Sequence, residues 1–126
     1  MRFRTVTLMA GHITHYEISA TDVDRAQRFW NGIFGWEFGA SVMPDGEYRM
    51  ARTAEQSGVA LTSHGEPGHP SVYFDVDDIE ASLAKVRELG GEAAEKQPVP
   101  QMGWFAACKD SEGNAFSLWQ TDSNAG

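Results

Sequence analysis

A strand–helix segment occurs twice in the chain, at positions 56 residues apart. The first copy begins at His15 and the second at Ser71, and each reads as an alternating strand, an acidic helix start and an amphipathic helix that ends near a glycine. A repeat of this kind indicates two copies of one supersecondary unit, because neither copy could bury its apolar surface alone. We expect the two copies to share a buried surface, with a ligand cleft at their junction.

Hydrophobic periodicity predicts the same order of elements, βαβββ, in both halves. The expected fold class is therefore α+β, with two βαβββ modules at about 11–64 and 70–121 in one domain. They are expected to form a curved, mixed, half-barrel sheet with the helices on its outer face. The predicted elements are a strand at 12–19, a helix at 23–34 and strands at 36–42, 47–53 and 58–63, then a strand at 71–76, a helix at 78–89 and strands near 92–98, 104–109 and 115–120.

The two predicted helices have recognisable ends. Asp22 and Asp78 stand where an N-cap is needed, and Gly35 and Gly90 stand where the helices should stop. We expect the first helix to cover the sheet with one apolar stripe. That stripe comprises Val23, Ala26, Phe29, Trp30 and Ile33.

Alternation along the first strand of each half separates an outer face from an inner face. The apolar residues Tyr16, Ile18, Val72, Phe74 and Val76 share the face that the helices should cover. The opposite face then carries His15, Glu17, Ser71 and Tyr73. Polar side chains on an inner face need partners, water or a ligand, so this face is where we expect function.

Charge and cysteine content exclude several classes of protein. The formal charge of −8 argues against a nucleic-acid binder, which needs a basic face. The single cysteine, Cys108, permits no intrachain disulfide and suits a reducing, cytoplasmic compartment, where we expect a buried, inert thiol. No apolar run reaches membrane-spanning length. Residues 1–9 do not resemble a signal peptide and are compatible with a loose extension.

Several segments in conserved order resemble the vicinal oxygen chelate superfamily, which includes glyoxalase I, extradiol dioxygenases, and fosfomycin- and bleomycin-resistance proteins. The segments are ITHYEI at 13–18, 22–26 and 34–36 in the first half, and VYFDVDD at 72–78, 89–91 and DSEGNAFSLWQ at 110–120 in the second. The resemblance implies the repeated βαβββ fold over residues 11–120. It leaves the function open, because such proteins include lyases, oxygenases, transferases and binders without catalysis.

The resemblance also implies four inward positions that hold a divalent metal in the metal-dependent members. Here they fall on His15, Ser71, Ser117 and an uncharged residue, Ala60 or Thr62. Neutral hydroxyls are poor metal ligands, so we expect no cofactor. The alternative is a non-standard site for zinc, nickel, manganese or iron, completed by Glu17 or by the loop residues His64, Glu66 and His69.

Three functions stay open at this point. The first is binding of a small apolar or aromatic molecule without metal, as in bleomycin-resistance proteins. The second is a metal-dependent lyase or dioxygenase. The third is a metal-free lyase or isomerase with His15 and Glu17 as catalytic acid and base. Glu17 could instead pair with Arg49 or Arg52, and His15 could be a simple hydrogen-bonded histidine.

The resemblance and the exposed sheet edges predict a homodimer. The expected pocket comprises His15, Glu17, Tyr48, Met50, Ser71, Tyr73, Trp104, Ser117 and Trp119.

Overall fold

The computed structural model describes residues 10–126, which form eight strands and two helices. Contacts divide the chain into an N-terminal module, His15–Ser71, and a C-terminal module, which combines residues 10–14 with Val72–Gly126. The extension expected over residues 1–9 lies outside the described residues. The elements are β1 (Ile13–Ser19), α1 (Val23–Phe34), β2 (Tyr48–Ala54), β3 (Ser57–Thr62), β4 (Ser71–Asp75), α2 (Ile79–Glu88), β5 (Glu92–Ala93), β6 (Gln97–Val99), β7 (Gly103–Lys109) and β8 (Ala115–Thr121).

Both modules use mixed strand pairing. In the N-terminal module β3 lies between β2 and β1, antiparallel to the first and parallel to the second. In the C-terminal module β8 lies between β4 and β7, parallel to β4 and antiparallel to β7, and β7 also pairs with β5 and β6. The α+β class predicted from the sequence is confirmed.

The predicted helix caps are confirmed. Asp22 and Asp78 each accept a hydrogen bond from the backbone N–H three residues later, at 3.0 and 3.1 Å. Gly35 ends α1 in the left-handed conformation, with φ of 73°. The start of α2 has a second partner that the sequence did not reveal, because the Gln120 side chain of β8 accepts the Ile79 N–H at 2.8 Å. This bond ties α2 to the strand beneath it.

The C-terminal module has a closed apolar core. Ile79 and Leu83 of α2 pack against Ala106, Cys108 and Leu118 of β7 and β8, and all five are at most 6% exposed. The expected buried position of Cys108 is confirmed.

The strand predicted at 36–42 does not form. Gly39 donates a backbone hydrogen bond to Met50, and Val42 donates one to Tyr48. The three residue steps from Gly39 to Val42 therefore lie opposite only two steps, from Met50 to Tyr48. A regular antiparallel ladder needs equal steps, and the extra residue acts like a bulge. The Ser41 hydroxyl then accepts the Tyr48 N–H at 2.9 Å, a bond that a backbone carbonyl would make in a ladder.

The strand predicted at 92–98 is divided into β5 and β6. Both pieces pair with β7, at Cys108 and Lys109 for β5 and at 103–105 for β6. The residues between them bridge the two pairing sites without joining the ladder as a strand.

The apolar stripe of α1 covers the sheet less completely than expected. Only Val23 is buried on this helix, whereas Phe29 and Ile33 are 58% and 57% exposed. Beside this helix, the Trp36 ring lies 5.4 Å from the Trp30 ring and 6.3 Å from the Tyr16 ring of β1. Trp36 thus adds a contact to β1 that the helix stripe did not predict.

Candidate functional site

Strand register places the sequence-predicted residues of the N-terminal module on one sheet face. Glu17 is paired with Ala60, and Ala60 with Met50; Thr62 is paired with Tyr48. Paired residues share a face, so His15, Glu17, Tyr48 and Met50 project to the same side. The residues between them, including Arg49, project to the side of α1. We call the first side the helix-free face of the module.

Tyr48 links the two candidate catalytic residues. Its hydroxyl donates to Glu17 Oε2 at 2.5 Å and lies 2.9 Å from His15 Nε2. His15 Nε2 and Glu17 Oε2 are 3.7 Å apart, and both side chains are 24% exposed. An O–H···O distance this short is typical of a hydrogen bond to an ionised carboxylate. Sequence reasoning placed Tyr48 in the pocket but did not foresee that it would bridge His15 and Glu17.

The bridge determines which nitrogen of His15 carries a proton. A tyrosine hydroxyl has one proton, and here it points to Glu17. The contact between His15 Nε2 and the hydroxyl oxygen is then a hydrogen bond only if Nε2 donates. With the Tyr48 proton on the Glu17 side, the Nε2–H tautomer of His15 completes the bridge.

The donor set does not fit a divalent metal. Coordination through His15 Nε2 would displace its contact with the Tyr48 hydroxyl. Ala60 is fully buried and has no ligating atom, and Ser71 is an exposed residue at the start of β4. Within residues 10–126, no three histidine, cysteine, aspartate or glutamate side chains are grouped so that they could hold a metal.

The loop residues proposed as replacement ligands have other partners. His64 Nε2 contacts the Asp45 carbonyl at 3.0 Å, and His69 Nδ1 contacts the Pro70 carbonyl at 3.4 Å. These contacts hold the His64 imidazole against the turn before β2 and the His69 imidazole against its own loop.

The two arginines considered as partners of Glu17 bond elsewhere. Arg49 lies on the α1 side, where its guanidinium contacts Glu47 at 2.8 Å and Asp24 at 2.9 Å. Hydrogen bonds to these two carboxylates raise the pKa of Arg49. Arg52 donates to the Glu55 carbonyl at 2.7 Å.

A cleft of about 340 Å³ opens along β2 and β3, and its lining does not include the bridged residues. It is lined by Met50, Arg52 and Gly58, which share the helix-free face, and by Glu37, Ala51 and Ser57. Gly58 is the register partner of His15, and a Cβ built on it would lie 3.2 Å from the Ala51 carbonyl oxygen. A volume at the lower end of the range for ligand sites suits a small molecule.

The C-terminal module has its own helix-free face. Tyr73 is paired with Ser117, and Trp119 with both Asp75 and Phe105, so these side chains project to one side. Trp104 does not join them, contrary to the expectation from sequence. It lies one residue out of phase, packs against the α2 core and donates its indole N–H to Asp122 at 3.0 Å.

Asp75 is a candidate that sequence reasoning left out. It shares the face of Tyr73, and burial raises the pKa of its carboxyl, with a further rise from Asp77 and a smaller opposing effect of His12. The signal was present in the alternation of β4, which puts a carboxylate two residues after Tyr73. Carboxyls with a raised pKa often mark functional sites.

A family model described as a glyoxalase-like domain matches residues 15–119. The chain belongs to the glyoxalase-like domain family. The domain is 31% identical over 119 residues to the protein named "Putative glyoxylase CFP32" of Mycobacterium tuberculosis, across 90% of this chain and 46% of that protein. It is 29% identical to the anthracycline biosynthesis protein DnrV of Streptomyces peucetius, across 83% of this chain and 45% of that protein. The domain thus spans about half the length of these curated relatives.

A shorter relative matches along nearly its whole length. It is the glyoxylase-like domain-containing protein of Didymella fabae, 27% identical across 88% of this chain and 94% of that protein.

Solved structures confirm the vicinal oxygen chelate fold. The hypothetical protein BH1468 of Bacillus halodurans superposes with a TM-score of 0.69 across 92% of this chain and 98% of that one, at 18% identity. Methylmalonyl-CoA epimerase of Mycobacterium tuberculosis gives 0.67 across 90% of each chain, at 15% identity. A glyoxalase/bleomycin resistance protein/dioxygenase superfamily member of Vibrio splendidus gives 0.63 across 83% of this chain and 95% of that one, at 21% identity. Identities this low establish the fold alone.

Neither helix within residues 10–126 is long and apolar enough to cross a membrane; α1 has 12 residues and α2 has 10.

Proposed function

We propose that this glyoxalase-like domain binds a small organic molecule on the helix-free face of its N-terminal module, without a metal. The observation that carries the proposal is the partly exposed, hydrogen-bonded set His15–Tyr48–Glu17. A hydroxyl held between an imidazole and a carboxylate has a fixed orientation, and preorganised polar groups bind with less loss of conformational freedom. Met50, 41% exposed on the same face, offers an adaptable apolar contact.

The ligand chemistry follows from the charge on this face. Glu17 favours a ligand with a positive charge or a hydrogen-bond donor, and the cleft and Met50 favour a compact, apolar or aromatic body. Tyr73 and Trp119 on the helix-free face of the C-terminal module likewise favour a ligand with a planar aromatic group. The lone buried thiol supports action in the cytoplasm.

Ligand-observed NMR tests this proposal with a fixed panel of small aromatic amines, phenols and carboxylates in the presence of a chelator. We expect amines and phenols to bind and carboxylates to bind least. Tyr48→Phe should weaken binding about tenfold, because one hydrogen bond in the set is lost. Arg28→Gln, on the exposed surface of α1, is the matched control and should change nothing. A panel without binders, or equal binding by Tyr48→Phe, would contradict the proposal.

A second candidate function is proton transfer without a metal. The continuous path from His15 Nε2 through the Tyr48 hydroxyl to Glu17 favours it, because a positioned acid and base can exchange a proton through a shared hydroxyl. Epimerases among the structural neighbours make an acyl-CoA thioester the reasonable first probe. Mass spectrometry would detect deuterium gained at the α-carbon of methylmalonyl-CoA in D₂O with chelator present. Exchange that Glu17→Gln abolishes would support this candidate, and the absence of exchange would reject it for this substrate.

A further inference from the structure

The N-terminal module has a second cavity, on the α1 side of its sheet and so on the face opposite the bridged residues. Its volume is about 440 Å³, within the range of small-molecule sites. The segment before β2 borders it where the extra residue interrupts regular pairing. The lining comprises Gln27, Phe38, Gly39, Ala40, Ser41, Glu47 and Arg49. We call it the α1-side cavity.

The Arg49 guanidinium lines the α1-side cavity and keeps two hydrogen-bond donors for it. Nε donates to Glu47 at 2.8 Å, and Nη1 contacts Gln27 at 2.8 Å and Asp24 at 2.9 Å. These contacts use three of the five N–H groups of the guanidinium. The two N–H groups of Nη2 have no acceptor among residues 10–126. A ligand in the cavity can supply that acceptor.

Glu47 places an acceptor next to these donors. Its Oε1 accepts the Arg49 Nε–H, and its side chain also lines the cavity. Nη2 and Nε are bonded to the same carbon of the planar guanidinium, so the Glu47 carboxylate stands beside Nη2 as well. Each carboxylate oxygen can accept a hydrogen bond. The cavity therefore offers a donor and an acceptor side by side, Nη2 of Arg49 and Oε2 of Glu47.

Charge limits the class of ligand. Asp24 and Glu47 are both in contact with Arg49, so two negative charges face one positive charge. An anionic ligand would meet this negative excess, and a cationic one would meet the guanidinium at short range. A neutral group that accepts from Arg49 and donates to Glu47 satisfies both side chains without adding a charge.

Phe38 gives the cavity an aromatic wall. Its ring meets the Trp36 ring edge-on, with the centroids 6.4 Å apart and the planes at 74°. This contact helps to hold Phe38 in place, and a fixed aromatic ring favours a planar partner. Gly39 leaves room beside the wall, because a Cβ built there would meet only the Met50 carbonyl oxygen, at 4.0 Å.

We propose that the α1-side cavity binds a neutral planar lactam, a ring in which a carbonyl group lies next to an N–H group. The carbonyl accepts from Nη2 of Arg49, the ring N–H donates to Glu47, and the ring packs against Phe38. The site is separate from the His15–Tyr48–Glu17 set, because Arg49 lies one residue out of phase with Tyr48 on β2. It does not rest on the proposed function.

Protein-observed NMR with 2-pyridone, a single-ring lactam, tests the proposal. We expect a dissociation constant of about millimolar, as for other small fragments, with shifts of the Arg49 side-chain N–H signals and contacts to the Phe38 ring. N-methyl-2-pyridone keeps the carbonyl but lacks the donor, so it should bind about tenfold more weakly. Benzoate should not bind here, because its charge is repelled by Asp24 and Glu47.

Glu47→Gln separates recognition of the ligand from a purely structural role. Glutamine can still accept from Arg49 Nε through its carbonyl oxygen, but it then presents an N–H donor to the ligand in place of an acceptor. The preference for 2-pyridone over N-methyl-2-pyridone should disappear, whereas structural damage would weaken both ligands alike. Glu55→Gln, an exposed change outside the cavity lining, is the matched control and should keep the preference.

Gly39→Leu places a side chain at the edge of the cavity and should abolish binding of 2-pyridone. The variant should fold, since the space around Gly39 is open, and circular dichroism verifies this. Tyr48→Phe should leave binding in the α1-side cavity unchanged, so failure of this proposal and failure of the proposed function are distinguishable.

Three results would overturn the proposal. They are the absence of shifts at Arg49 and Phe38 with 2-pyridone, equal binding of 2-pyridone and N-methyl-2-pyridone by the wild type, and undiminished binding by folded Gly39→Leu. A preference that persists in Glu47→Gln would likewise remove Glu47 as the acceptor and overturn the assignment to lactams.

Discussion

At the scale of single residues, the sequence identified His15 and Glu17 but not the bond between them. Alternation along β1 suffices to put both on one face, because the side-chain period of a strand is two. The Tyr48 bridge depends on the register in which β2 pairs with β3. Strand register is a long-range property, so the local sequence pattern does not reveal it. The register between β7 and β8 separates Trp104 from Phe105 and Trp119, and a strand of seven mixed residues gives no clear phase for Trp104.

Asp75→Asn should stabilise the protein at neutral pH. Burial raises the folded-state pKa of Asp75 above its ordinary value of 3.8, so the unfolded chain binds fewer protons between the two values and the ionised carboxyl costs stability at neutral pH. Below the ordinary value both states are protonated and the advantage of asparagine disappears. Urea unfolding at pH 7 and at the lowest pH where the fold persists measures the difference in unfolding free energy between Asp75→Asn and the wild type. An advantage that is the same at both pH values would show that charge is not the cause.

Cys108 should resist alkylation in the folded protein. Its side chain is 5% exposed, and burial raises the pKa of the thiol, so little thiolate is present and reagents cannot reach it. Iodoacetamide should modify it at least about tenfold more slowly in buffer than in denaturing urea. Mass spectrometry follows the modification, and equal rates in buffer and in urea would contradict the buried position of Cys108.

At the scale of elements, the helices were predictable and the irregular strands were not. N-caps and the glycines that follow a helix are local sequence signals, and α1 and α2 lie at the positions that these signals predict. The segment 36–42 alternates like a strand, yet the Ser41 side chain takes over a backbone bond there. The contact of Trp36 with β1 was also not foreseeable, since Trp36 lies outside the helix.

Gly103 in β7 should tolerate no side chain. A Cβ there would lie 2.3 Å from the Gln120 carbonyl oxygen and 2.5 Å from the Trp119 ring, so the Trp119 ring lies directly over this glycine. Gly103→Ala should cost about 1–3 kcal/mol of unfolding free energy through overpacking. Gly68→Ala, where a Cβ meets nothing within 4 Å, is the control. Thermal unfolding that ranks the two variants equally would contradict the packing described for β7 and β8.

At the scale of the whole molecule, the internal repeat predicted the fold class, and relatives of known structure confirm it. The repeat could not predict chemistry, because only His15 of the four implied metal positions is a residue of the usual ligand type here. What the structure adds is the contact between His15 Nε2 and the Tyr48 hydroxyl, which occupies the one ligand-type residue of the set.

Calorimetric titration of Zn²⁺ into chelator-stripped protein tests the central claim, that the His15–Tyr48–Glu17 face works without a metal. The account predicts no stoichiometric binding tighter than about micromolar, because coordination would displace the Tyr48 contact of His15, and the other three implied positions carry no imidazole or carboxylate. His15→Ala should then leave the titration unchanged. Stoichiometric binding tighter than micromolar that disappears in His15→Ala would contradict the account and return the domain to the metal-dependent enzymes.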